Sequence, residues 1–199
     1  MRFRKVFLLC MLTAILAATA IESEVRAKAF VQESAGMLSA AAVVKPQAFV
    51  SLEPVPRERE FQAAVVMEIA RGYHMNSHKP SEEYLIPTTL AVQPATGVQV
   101  LDTIYPEGQL LKFSFSPDKP LSVYTGKVIL KLRLSAQPDA PLGEETIPTI
   151  LRYQACNDTT CLPPVKVPVS ITLEIATAGT SARTVHPEIF QTTDSSQRK

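Results

Sequence analysis

An immunoglobulin-type antiparallel β-sandwich is the fold class this 199-residue sequence predicts. Three observations predict it. Several runs alternate apolar and polar residues with the two-residue period of a half-buried strand. Sixteen prolines are spread along the chain, which argues against long helices and for short strands. Turn-forming clusters separate the runs at close intervals. Seven or eight strands in about 115 residues fit a sandwich of that type.

The cleanest run is Val165, Val167, Val169, Ile171, Leu173 and Ile175, which alternate with Lys166, Pro168, Ser170, Thr172 and Glu174. Pro168 places that strand at an edge or a bulge. Val128, Leu130, Leu132 and Leu134 alternate with Lys127, Ile129, Lys131 and Arg133. Phe61, Ala63, Val65, Met67 and Ile69 share one face, with Gln62 and Glu68 on the other. Weaker strands are expected at 85–92, 98–104, 110–115 and 146–155. Turns are expected at Pro94–Gly97, Pro106–Gly108, Pro117–Pro120, Thr125-Gly126 and Pro138–Gly143.

Flanking segments read differently. Arg2, Arg4 and Lys5 precede an apolar run from Val6 to Ala17, and Ala18-Thr19-Ala20 supplies small residues at a cleavage position. Residues 1–20 therefore read as a cleaved signal peptide, too short in its apolar part to span a bilayer comfortably. The competing reading is an uncleaved anchor. Cys10 follows Leu8-Leu9 and lacks the small residue that a lipoprotein cleavage site places before its cysteine. Residues 21–58 read as a linker or arm, 59–176 as the domain, and 177–199 as a disordered tail rich in Thr, Ser, Ala and charge. The expected location is periplasmic or secreted, where disulfides persist.

The formal charge is +1, and no basic cluster carries interleaved aromatics, so nucleic acid is not an expected partner. No Ser-His-Asp order, phosphate loop or paired-acid motif is present. No cofactor is expected.

Chemistry centres on Tyr153-Gln154-Ala155-Cys156-Asn157-Asp158-Thr159-Thr160-Cys161-Leu162-Pro163-Pro164. With the signal removed, Cys156 and Cys161 are the only thiols, and they occupy the connection between the last two strands. Two readings stand level on residues alone: a structural clip, or a pair that exchanges electrons. A loop this short gains only about 2 kcal/mol from closure. The spacing is not C-x-x-C, and nothing places a helix N-terminus beside either sulfur. Asp158 reads as a turn former. His74, Met75 and His78 form a weak candidate for a soft metal such as copper, against the plainer reading of a surface loop anchored by Tyr73. Phe113, Phe115 and Tyr124 read most simply as core, with one of them as an alternative shield over a reactive sulfur.

Four segments in order carry a resemblance: Gly72-Tyr73-His74-Met75-Asn76-Ser77-His78, Tyr105-Pro106-Glu107-Gly108, Leu121-Ser122-Val123-Tyr124-Thr125-Gly126, and the cysteine block. Over roughly 58–175 the chain resembles the N-terminal periplasmic domain of the thiol:disulfide interchange protein DsbD. The resemblance implies an immunoglobulin-like sandwich and protein-disulfide reduction by thiol–disulfide exchange. It implies Cys161 as the attacking thiol and Cys156 as the resolving one, with His74 and Asn76 beside them. It also implies a cap loop at 113–120, with Phe115 as the capping aromatic. The partners implied are thioredoxin-like redox proteins and a separate membrane electron donor, acting on a monomer. The cysteine spacing is one residue shorter than in the best-known member. A bridge there needs Cα atoms about 4.4–6.8 Å apart. The alternative from another class is a non-catalytic immunoglobulin-like binding module with a structural disulfide.

Overall fold

The computed structural model describes residues 38–191. The expected signal at 1–20, residues 21–37 of the expected arm, and 192–199 lie outside that range. A 3-10 turn (Ala40–Ala42) precedes β1 (Val44–Val50), β2 (Leu52–Glu53), β3 (Val55–Pro56), β4 (Glu60–Ile69) and β5 (His74–Asn76). The chain continues through β6 (Thr89–Val92), β7 (Val98–Ile104), β8 (Gln109–Phe113), β9 (Ser116–Tyr124) and β10 (Lys127–Ala136). It ends with β11 (Gly143–Tyr153), β12 (Ala155–Cys156), β13 (Val165–Ala176), β14 (Arg183–Thr184) and a one-turn helix α1 (Pro187–Phe190).

Two four-stranded sheets, β1-β4-β10-β7 and β3-β13-β11-β6, enclose one core. The architecture is the predicted immunoglobulin-like β-sandwich. The two-residue period decides which side chains enter it. On β13, Val169, Ile171, Leu173 and Ile175 are buried while Lys166, Ser170, Thr172 and Glu174 are exposed. On β10, Val128, Leu130, Leu132 and Leu134 are buried, and they meet Val65, Met67, Ile147 and Leu151 in the same cluster. Pro168 faces Ile150 of β11. The other neighbour of β13 pairs only at Ile175 and Ala176, so Pro168 has a paired strand on one side alone, as an edge proline should.

Three stretches differ from the sequence reading. Within the expected arm, Val44–Val50 pairs along its whole length with β4, from Val44 opposite Ile69 to Val50 opposite Ala63. Val43, Val44 and Val55 are buried in the core, so 43–56 belongs to the sandwich. Proline and charge density obscured it, because Pro46 sits on an edge strand where its missing N–H is tolerated.

The second difference is the tail. β14 pairs with β2, and α1 buries Ile189 and Phe190 against Ala64, Val66, Phe49 and Ile129. This covers the outer face of β4, which explains why β4 is apolar on both faces. A lone Ile-Phe pair in a polar stretch gave too little periodicity to reveal it.

The third is Pro117–Pro120, expected as a turn. It is extended within β9, and the hairpin reverses instead at Ser114-Phe115. Phe113 pairs with Ser116 and Leu111 with Leu121, so 117–120 bulges opposite Lys112 alone. Both prolines lie where no ladder donor is required.

Candidate functional site

A third sheet, in the order β12-β5-β9-β8, carries the cysteines. It is built from the segments that stood out in the sequence. Met75 pairs with Tyr124 and Asn76 with Val123 on one side of β5, while His74 pairs with Cys156 and Met75 with Ala155 on the other. Tyr124 donates its hydroxyl to the Pro106 carbonyl (2.8 Å) and accepts the His78 amide (3.2 Å). The Ser77 and Ser122 hydroxyls lie 2.8 Å apart. Gly108 packs so closely there that a Cβ would sit 2.7 Å from that of Ser77 and collide with Ser122 Oγ. The Tyr-Pro-Glu-Gly and Leu-Ser-Val-Tyr segments thus hold β5 and β9 together behind the cysteines.

The cysteine block folds as a minimal hairpin. Tyr153 is fully buried and donates its hydroxyl to the Ala40 carbonyl (2.9 Å). Gln154 Nε2 donates to the Leu162 carbonyl (3.2 Å). Ala155 and Leu162 are buried and anchor the two arms, joined by the Leu162 amide donating to the Ala155 carbonyl (2.8 Å). The Asn157 amide donates to the Thr160 carbonyl (2.9 Å). Asn157 Oδ1 accepts the amides of Thr159 (2.9 Å) and Thr160 (2.8 Å). The side chain that makes the turn is therefore Asn157 and not Asp158, the residue expected from the sequence.

Between these bonds, Cys156 and Cys161 form a non-hydrogen-bonded antiparallel pair, the register in which strands approach most closely. The two are joined by a disulfide, with Cα atoms 4.0 Å apart. That is below the 4.4–6.8 Å usual for bridges. Cys156 is 2% exposed, whereas Cys161 is exposed. Only one of the two sulfur-bearing residues is open to an incoming molecule.

His74 is 4% exposed and its ring stacks on Phe113, with centroids 4.1 Å apart and planes at 22°. Burial pushes the imidazole below its ordinary value of 6.5, and the Asp158 carboxylate offsets part of that. Phe115 stacks on the outer side of Phe113 (5.3 Å) and is 50% exposed. Ser114 Oγ donates to the Asp158 carbonyl (3.2 Å), which ties the β8–β9 tip to the cysteine hairpin. Beside it runs a groove of about 440 Å³ lined by Ile69, Gly72, Tyr73, His74, Leu111 and Phe113 among others.

The expected neighbours thus divide. His74 is the direct ladder partner of Cys156. Asn76 shares the strand, but its Nδ2 donates to the Ile86 carbonyl (3.0 Å) and its own carbonyl accepts Thr88 Oγ1 (2.6 Å), so it holds the 77–88 segment. Phe115 lies one ring away from His74, and Phe113 makes the direct stack. Phe113 and Ser114 fall in the expected cap loop, but the sequence pointed to Phe115 as the capping aromatic. The turn at Ser114-Phe115, which makes Phe113 the inner ring, was hidden by the proline pair downstream.

The metal reading does not survive the geometry. His74 and Met75 are successive residues of a strand and point to opposite faces, and Met75 is fully buried in the core. His78 stacks on Tyr105 at 3.6 Å, so the three side chains do not converge.

The family model for the N-terminal region of the thiol:disulfide interchange protein DsbD matches residues 40–172. The chain belongs to that family. The matched range begins ahead of β1 and includes the whole cysteine hairpin, so the DsbD-type domain takes in the strand that sequence reading assigned to an arm. No curated protein matches the chain. Among solved structures, the DsbD N-terminal domain of Neisseria meningitidis in the reduced form is 19% identical, with a TM-score of 0.38 over 69% of this chain and 90% of that one. The N-terminal periplasmic domain of ScsB from Proteus mirabilis is 13% identical, with a TM-score of 0.47 over 70% of this chain and 49% of that one. The major pilin SpaD of Corynebacterium diphtheriae is 10% identical, with a TM-score of 0.31 over 66% of this chain and 34% of that one. Among the described residues no helix is long and apolar enough to cross a membrane.

Proposed function

We propose that this chain is an extracytoplasmic thiol–disulfide exchange module that passes electron pairs to thioredoxin-like proteins and is recharged by a separate membrane donor, acting as a monomer. One observation carries the reading: in a DsbD-family domain, an exposed cysteine is paired with a buried one on a rigid sheet.

In the reduced module, the Cys161 thiolate attacks a partner disulfide. A Cys161–partner disulfide forms and the partner's other sulfur leaves as a thiolate. Cys156 then attacks Cys161 Sγ. The 156–161 disulfide forms, and the partner departs with both electrons as a dithiol. Recharging runs the same steps backwards, with a donor thiolate attacking the exposed Cys161 sulfur and expelling Cys156. The division of labour follows from access, because the buried sulfur is reachable only from its own partner. The tip at Ser114-Phe115 caps the His74–Cys156 side of the site, with Phe113 inside and Phe115 outside, and leaves Cys161 open.

The test is a trap. A Cys156→Ser domain should accumulate a reductant-sensitive one-to-one adduct through Cys161 with a disulfide-bearing thioredoxin-like protein, and a Cys161→Ser domain should not. Absence of any adduct across a panel of such proteins would reduce the chain to a sandwich with a structural clip.

A further inference from the structure

The resolving step poses a problem that the exchange reading alone leaves open. Cys156 must attack as a thiolate, yet it is buried and bulk water has little access to its thiol proton. A proton acceptor must stand beside it, out of bulk water.

The register supplies one. His74 is opposite Cys156, and Cys156 is opposite Cys161. Directly opposed residues of an antiparallel pair share a face, with Cβ atoms about 4.5–5.5 Å apart. The imidazole and the two sulfurs therefore form one row across three strand segments. The Phe113 stack fixes the ring and shuts it off from water. We propose that His74 is the base that takes the proton from the Cys156 thiol during resolution, and that Asp158 stabilises the imidazolium so formed.

The surroundings fit that role. Asp158, on the cysteine hairpin, favours the charged ring, while burial keeps it unprotonated at neutral pH. Arg71 and Tyr73 line the adjoining groove. β8 presents Phe113 and Leu111, which do not titrate, and Lys112 alternates to the other face of that strand. β9 presents Tyr124, whose hydroxyl is engaged with Pro106. The proton balance closes: Cys156 S–H passes its proton to the imidazole, the thiolate attacks Cys161 Sγ, the partner sulfur leaves, and the imidazolium returns the proton to that thiolate or to water.

The inference rests on the exchange reading, and dithiodipyridine separates the two. The reduced domain should release coloured thiopyridone in two phases, the first from attack by Cys161 and the second from resolution by Cys156. In the wild type the second phase should hold its rate as pH falls from 8 towards 6.5 and decline only below that. In His74→Phe, which keeps the stack, the plateau should vanish, with a fall of about tenfold per pH unit and a rate at pH 7 lower by roughly 100-fold or more. His74→Gln should lose the plateau likewise, and imidazole in the buffer should restore it to His74→Ala. A second phase with the wild-type pH profile in His74→Phe and His74→Gln overturns the role of His74 while exchange stands. Absence of the first phase overturns exchange itself, and the inference with it.

Discussion

Reduction of the 156–161 disulfide should leave the domain folded and only slightly weakened. The bridge closes a loop with a sequence separation of 5, and for a loop that short the chain-entropy model gives about 2 kcal/mol. Nothing in the hairpin adds to that figure. Its two backbone hydrogen bonds, the Asn157 turn and the Gln154 clamp involve neither sulfur and should persist on reduction, with Ala155 and Leu162 still anchored in the core. With a urea slope of about 2 kcal/mol per molar, the oxidised and reduced midpoints should differ by roughly 1 M. By the closed cycle, the folded chain holds its disulfide about 40–50 mV more firmly than the unfolded chain does. Far-UV circular dichroism suits the measurement, since the protein has no tryptophan. A gap above about 4 kcal/mol, or unfolding on reduction, would refute the reasoning. The bond would then be a structural staple, and the module could not cycle its electrons without losing its fold.

Other expectations follow from single contacts. Phe190→Ala should destabilise both redox forms equally by about 1.5–3 kcal/mol in the same titration, since Phe190 covers Ala64 and Val66; no loss would mean the tail does not pack. Asn76→Ala should cost about 1–3 kcal/mol by freeing the Ile86 carbonyl, while thiol kinetics at Cys161 stay in place. Burial holds His74 below its unfolded value of 6.5, so the unfolded chain binds more protons in that window. Its contribution is therefore undiminished above pH 6.5 and is lost as pH falls towards the folded value. The slope is at most about 1.4 kcal/mol per pH unit, and His74→Phe should remove it. Gly108→Ala should lower expression or stability by prising β8 from Ser77 and Ser122, read as a drop in the thermal midpoint.

Most of the sandwich was legible because its strands are buried on one face only. β13 and β10 announce themselves by alternation, and their buried residues are the predicted ones. β1 was not legible, for it carries Pro46 and Lys45 on an edge and buries little beyond Val44. β4 hid a second buried face, because its cover comes from Ile189 and Phe190, more than a hundred residues downstream. At the site, the cysteines and His74 were legible as residue types in a recognisable order. What the sequence could not yield was register: that His74 and Cys161 flank Cys156 in one row, and that Phe113 rather than Phe115 lies on the imidazole.

The four-residue turn between the sulfurs has one more consequence. Its frame is set by amides and by Asn157, so making or breaking the sulfur bond should change the outline of the surface very little. In the exchange proposed above, a docking protein would meet nearly the same contour in both redox states, and a ligand that binds two states equally shifts neither. Such turnover would have no conformational spring to eject the product. Its direction would then come from the relative electron affinities of the proteins on either side, and its traffic from their abundance.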